Sequence, residues 1–237
     1  LRGEIQTEEL PGFNAEDANF YIDVDVVNYW GPPEYTEARC HPSTGKVFTP
    51  WLQKLLINDP DRMALVCRYL GELYGQTDAD GRPLHNIYVF CEERDQLDLT
   101  YAKLAEYCDR VGIVLCAPEI SKYVCGTKKA GIEYAIAHCR VFLTTYGYSS
   151  AGVSIAKMSA MIFVTPRKAQ MKQIIGRICR LSGDPSVRRR IVDIVDKGTP
   201  LAKQYRHRLA AYKTKDKPVL DADGNPTGES YLNIRVV

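Results

Sequence analysis

Between Asn86 and Asp196, short uninterrupted apolar runs alternate with segments of helical periodicity. The runs are Asn86–Cys91 (NIYVFC), Val111–Cys116 (VGIVLC), Arg140–Tyr146 (RVFLTTY), Ser159–Thr165 (SAMIFVT) and Ile191–Asp196 (IVDIVD). A strand that is apolar on both faces must be covered on both, so runs of this kind belong to parallel sheets sandwiched between helices. The intervening segments supply those helices. Gln96–Arg110 places Leu97, Leu99, Leu104 and Tyr107 at helical spacing, and further helices are expected over 127–138, 170–181 and 200–212. Asp59-Pro60 is a helix start, with a side-chain cap and proline at the first position, and leads a helix to about Tyr74. The pattern predicts a doubly wound α/β fold, with a parallel sheet of about five or six strands drawn from residues 86–196.

The ends of the chain read differently. Residues 1–50 show little periodicity and hold turn-rich stretches such as Gly31-Pro32-Pro33 and His41-Pro42-Ser43-Thr44-Gly45. They are expected to form an irregular arm or the remnant of a preceding domain, before an α/β domain over 51–217. Residues 218–237 carry Asp221-Ala222-Asp223-Gly224-Asn225 between β-prone runs, which predicts a C-terminal β-hairpin. A calcium loop would need a glutamate at the closing position of the loop, and none stands there. The chain opens on Leu1, as a piece of a longer protein would.

Eight cysteines are scattered singly, with no C-x-x-C pair, and several sit inside apolar runs. That pattern suits buried free thiols and an intracellular setting, cytoplasmic or nuclear, better than a zinc site or a disulfide framework. No apolar run is long enough to span a bilayer. The net charge is only +2, yet residues 167–217 hold fifteen Lys or Arg against four Asp. One strongly basic segment on an otherwise acidic body predicts a polyanion-binding face, with DNA or RNA as the natural partner. Within it Arg188, Arg189 and Arg190 are candidate contacts to nucleic-acid phosphates.

The strongest local signal is Gln173-Ile174-Ile175-Gly176-Arg177-Ile178-Cys179-Arg180. On a helix Gln173, Arg177 and Arg180 would share one face, with Ile174 and Ile178 turned to the core and Gly176 permitting close approach of a ligand or backbone. Guanidinium forks match phosphate oxygens and keep their charge, so this face would suit a phosphate chain.

This Q-x-x-G-R-x-x-R segment, following a strand that ends in Thr165-Pro166, resembles motif VI of superfamily 2 helicases. Thr144-Thr145-Tyr146-Gly147-Tyr148-Ser149-Ser150-Ala151-Gly152-Val153-Ser154-Ile155 is similar to motif V, and Val89-Phe90-Cys91 to motif IV. The three occur in the family's order across most of the chain. The resemblance implies a RecA-like domain, the second of a helicase motor, and TTYGYSSAG with VDIVD is nearest in character to helicases of large DNA viruses or phages. It implies that Arg177, Arg180 and Gln173 act on the γ-phosphate of ATP held by a partner domain. By the same resemblance Gly152, Ser154 and Gly176 lie against the nucleotide, and Thr144, Thr145, Phe90 and Cys91 lie along the nucleic acid. Ser154 departs from the family, which usually has Asp or Asn there.

A P-loop requires G-x-x-x-x-G-K-[ST], and Ser43-Thr44-Gly45-Lys46-Val47 lacks both the first glycine and the hydroxyl. A magnesium-holding D-E-x-[DH] segment is missing too. Phosphoryl transfer is largely positioning and charge stabilisation by lysine, magnesium and arginine, and this stretch carries the arginine share only. ATP and Mg2+ are therefore expected to sit mainly on an N-terminal P-loop domain of the same protein. The fragment alone is expected to be inactive while the full-length protein hydrolyses ATP. The alternative is a RecA-like module that binds nucleic acid or protein without catalysis.

Overall fold

A computed structural model describes residues 19–124, 126–147, 155–180 and 182–237. Seven parallel strands form one sheet: β1 (Ile22–Tyr29), β2 (Ile87–Cys91), β3 (Ile120–Tyr123), β4 (Val141–Thr145), β5 (Ala160–Phe163), β6 (Arg189–Asp196) and β9 (Leu232–Val236). Their order is β3-β4-β2-β5-β6-β1-β9. The remaining strands, β7 (Pro218–Leu220) and β8 (Pro226–Ser230), pair as a separate antiparallel hairpin. The helices are α1 (Pro33–Thr36), α2 (Thr49–Asn58), α3 (Pro60–Gly75), α4 (Arg94–Val111), α5 (Lys129–His138), α6 (Met171–Gly176) and α7 (Tyr205–Tyr212).

The alternation of side chains along each strand divides the core into two layers. Tyr88, Phe90, Phe142, Met161, Phe163 and Ile191 face α5, α6 and α7. On the other face Ile87, Val89, Val141, Leu143, Ile162 and Val192 meet α3 and α4, through residues such as Val66, Leu70, Leu97 and Leu104. The local chemistry sets the boundaries of these helices. Asp59 caps α3 by accepting from the backbone of Asp61 and Arg62. Glu93 and Gln96 form a reciprocal capping box on α4, and Gly112, at φ +73°, ends that helix in the left-handed conformation. This is the expected α/β fold, with continuous apolar strands at its centre.

Three expectations are corrected. Residues 1–50 are not irregular throughout, because Ile22–Tyr29 is an eight-residue strand inside the sheet, hydrogen-bonded to β6 on one side and β9 on the other. Asp23 and Asp25 disguise it by alternating with valine as on a solvated edge, yet both are buried. Arg188 and Asn233 satisfy Asp23, and Arg190 and Arg235 satisfy Asp25, from the flanking strands β6 and β9 and, for Arg188, from the residue just before β6. Burial alone would raise the Asp23 carboxyl, but these partners outweigh it and hold its pKa below the ordinary value. Second, Val111–Cys116 forms no strand. Gly112 turns the chain out of α4, Val114 is exposed, and the ladder begins only at Ile120. Third, residues 232–236 leave the terminal hairpin and extend the main sheet as its edge strand.

Candidate functional site

From β2 the chain crosses towards β3, whereas from β5 it crosses towards β6, and β2 and β5 are neighbours. In open α/β sheets the crevice beyond the carboxyl ends of two such strands, where the winding reverses, is where ligands bind. Two side chains bridge this point. Arg167, just past β5, donates from Nη1 to both carboxylate oxygens of Glu92, just past β2, at 2.8 and 3.0 Å. Its guanidinium also lies 5.0 Å from the ring centroid of Tyr146, the residue after β4. The Tyr146 ring stacks on Phe90 at 5.3 Å and 10°. Ends of three strands are thereby tied into one surface.

The segment Val164-Thr165-Pro166-Arg167, which leads from β5 to α6, is fixed at every carbonyl. Arg62 Nη1 of α3 donates to Val164 O at 2.7 Å, and the Tyr146 hydroxyl to Thr165 O at 2.6 Å. Gln53 Nε2 of α2 donates to Pro166 O at 3.0 Å, and Arg208 Nη1 of α7 to Arg167 O at 3.1 Å. Buried ion pairs hold two of these donors. Arg62 makes a two-pronged contact with Asp196 at the end of β6, at 2.6 and 3.1 Å. Arg208 bonds Asp193, which also accepts from the Tyr212 hydroxyl. Burial opposes the charge on Arg208, but Asp193 outweighs it and holds the pKa above the usual arginine range. Burial likewise keeps the Tyr146 hydroxyl protonated, as its role as donor requires.

α6 does not run to residue 181. It stops at Gly176, and Arg177, Ile178 and Cys179 continue in tighter turns, each amide reaching back three residues. Gln173 is consequently exposed, Arg177 buried and Arg180 half-buried, so the three do not share one solvent-facing stripe. A side-chain carbon at Gly176 would meet nothing within 4 Å, so the space beside it is open in this chain. Gly152 and Ser154 lie outside the described residues.

Of the nucleic-acid candidates on β2 and β4, Phe90, Cys91 and Thr144 are fully buried and Thr145 is partly open. Phe90 belongs to the aromatic layer, while Cys91 rests on Thr100 with its thiol pushed up to about 12, first by burial. Direct side-chain contact from Phe90 or Cys91 is excluded by that packing.

Arg188, Arg189 and Arg190 sit at the opposite end of β6, about 23 Å from Asp196 at ~3.3 Å per residue. Arg188 and Arg190 are committed to Asp23 and Asp25, and buried Arg189 donates to the carbonyls of Ile178 and Val187 above the ring of Phe20. A three-arginine phosphate clamp is thus corrected to an internal network. Other exposed cations of the basic segment are spread more widely: Lys168 and Lys172 flank the start of α6 and Lys197 and Lys203 follow β6, towards the carboxyl-end rim, while Arg206, Lys213 and Lys217 are exposed on and beyond α7. No three His, Cys, Asp or Glu side chains converge to hold a metal among the described residues. None of their helices is long and apolar enough to cross a membrane.

Fold and rim together define an α/β domain of RecA-like architecture. Its architecture is shared with UvsW of T4, at a TM-score of 0.59 and 14% identity, covering 92% of this chain and 42% of that one. It is shared less closely with the ATP-dependent Type ISP restriction-modification enzyme LlaBIII, at a TM-score of 0.50 and 13% identity over 92% of this chain and 15% of that one. In sequence the chain is homologous to the protein named "Putative ATP-dependent RNA helicase QP509L" of African swine fever virus. Identity is 32% over 201 residues in the Pig/Kenya/KEN-50/1950 isolate, and 32% over the same length in the Vero-adapted Badajoz 1971 strain. The match covers 83% of this chain but 38% of the viral relatives. No protein-family model matches the chain.

Proposed function

We propose that this chain is the second motor domain of an ATP-dependent nucleic-acid helicase or translocase, completed by a P-loop domain elsewhere in the same protein. The homology to the QP509L proteins carries this reading, supported by a RecA-like fold with its winding reversal at β2 and β5. ATP and magnesium would rest mainly on the P-loop domain. The described residues offer no cluster of carboxylates for a metal, whereas guanidinium groups suit phosphates: Arg180 is half-buried, and Arg177, at 6% exposure, would have to turn outward to reach them. DNA or RNA would track along the rim beside Thr145, Lys168, Lys172 and Lys197, with its charge met by lysines rather than by the arginines of β6.

In the full-length protein, Arg177→Ala or Arg180→Ala should lower ATP turnover by about three orders of magnitude, the scale of a lost arginine finger. Single-turnover hydrolysis should be measured alongside thermal melting. Loss of turnover with an unchanged melting point supports the proposal. Turnover per folded molecule equal to that of the wild type refutes it.

A further inference from the structure

Residues 39–48, between α1 and α2, fold into a small exposed hairpin closed by its own backbone. Phe48 N donates to Arg39 O at 2.7 Å, His41 N to Lys46 O at 2.8 Å, and Gly45, at φ +64°, turns the tip. Cys40 and Val47 form an antiparallel bridge across it. Its base is anchored at the rim already described. Leu52 and Leu56 of α2 pack on Leu201, the residue pair Ala38 and Val47 packs against them, and Gln53 holds Pro166 O.

Two aromatic rings of this element take no part in those clusters. Phe48 is 40% exposed, with the His41 ring edge-on to it at 4.9 Å. The Arg39 guanidinium lies over the Trp51 ring, 3.9 Å from its centroid. Charge sets the region apart as well. From Ala38 to Asn58 there are three basic residues, Arg39, Lys46 and Lys54, and no Asp or Glu, although the chain outside 167–217 is net acidic. All three basic side chains stand in exposed positions.

We infer that this hairpin with the first turn of α2 is a contact for single-stranded nucleic acid, in which a base stacks on Phe48 and the basic side chains meet backbone phosphates. An exposed ring beside cations, on a stretch of chain without carboxylates, is the chemistry that binds unpaired strands with little regard to sequence. The adjacent Lys197 and Lys203 would continue the same track. The inference rests on the proposed nucleic-acid role, and its test separates the two.

The chain has two tryptophans, so Trp30→Phe leaves Trp51 as the sole reporter. Binding of a 20-nucleotide oligo(dT) or oligo(U) to that variant should change Trp51 emission. Phe48→Ala should weaken binding by about tenfold, the loss of one stacked base, without altering the melting curve. Replacing Arg39, Lys46 and Lys54 together by Ala should flatten the slope of log affinity against log salt by about 2, at ~0.7 per phosphate on a single strand. Wild-type binding that survives all four changes, or a Trp51 signal indifferent to saturating oligonucleotide, overturns the hairpin's role and leaves the motor proposal intact. No binding by the unaltered chain refutes the nucleic-acid role of the rim together with this inference.

Discussion

Arg62→Met is the most informative change for the architecture of the rim. Arg62 is fully buried, and its guanidinium makes a two-pronged contact with Asp196 and a third bond to the carbonyl of Val164. Methionine fills a similar volume but strands the Asp196 carboxylate, itself 2% exposed. Removing one partner of a buried pair costs about 3–5 kcal/mol, most of it from the charge left unpaired. At roughly 2–4 °C per kcal/mol for a domain of this size, the melting temperature should fall by about 6–20 °C. Changing Asp196 to Leu in the same molecule removes the stranded charge, so the double variant should recover much of the loss. Urea denaturation of wild type, both single variants and the double variant closes the cycle. Hydrogen exchange of the amides around residues 164–170 should quicken in Arg62→Met, because Val164 loses its clamp. A shift under about 1 kcal/mol for Arg62→Met, or a double variant worse than either single one, would refute the reasoning.

Two further predictions follow from buried titratable groups. His85 is buried beside Ser159, and burial, then Arg190, Arg189 and Arg140, push its pKa down to about 4. An unfolded histidine titrates near ~6.5, so the unfolded chain binds the extra proton between these values; stability should be complete above ~6.5 and drain away towards pH 4, by at most roughly 3 kcal/mol. His85→Gln should lose that part of the pH dependence in denaturation curves, and an identical profile would show that His85 is not responsible. Among the described cysteines Cys40 and Cys116 are exposed, whereas Cys67, Cys91, Cys108, Cys139 and Cys179 are buried. A thiol reagent on the native chain, read by peptide mass spectrometry, should label the first two quickly and the other five only on unfolding.

The central strands were legible because their burial on both faces writes itself as unbroken apolar sequence: β2, β4 and β5 fall inside expected runs, and β6 contains its run but starts two residues earlier, at Arg189. β1 was hidden by Asp23 and Asp25, whose partners lie 165 and 210 positions away in the chain. That concealment produced a second one. With β1 unseen, Arg188 and Arg190 looked like free cations, and only the pairing of β1 with β6 shows them neutralised. β3 was missed because a four-residue edge strand reading Ile-Ser-Lys-Tyr carries little periodicity. At the site, the spacing of Gln173, Arg177 and Arg180 located the segment, but spacing could not reveal that α6 stops at Gly176. The Glu92–Arg167 bridge left no local trace, since its members are 75 residues apart and meet only because β2 and β5 are adjacent.

The four clamped carbonyls of Val164 to Arg167 have a mechanical consequence. Their donors come from α2, α3, α7 and the end of β4, so the segment is bolted to both helical layers and to the sheet between them. A push on α6 would be resisted at this joint, because yielding at any one carbonyl would break a hydrogen bond, three of the four of them buried. The load passes instead into the whole body. A domain joined in this way would move as a lever: a small displacement at the start of α6 would be carried to the far edges at β3 and β9 together rather than spent in local flexing.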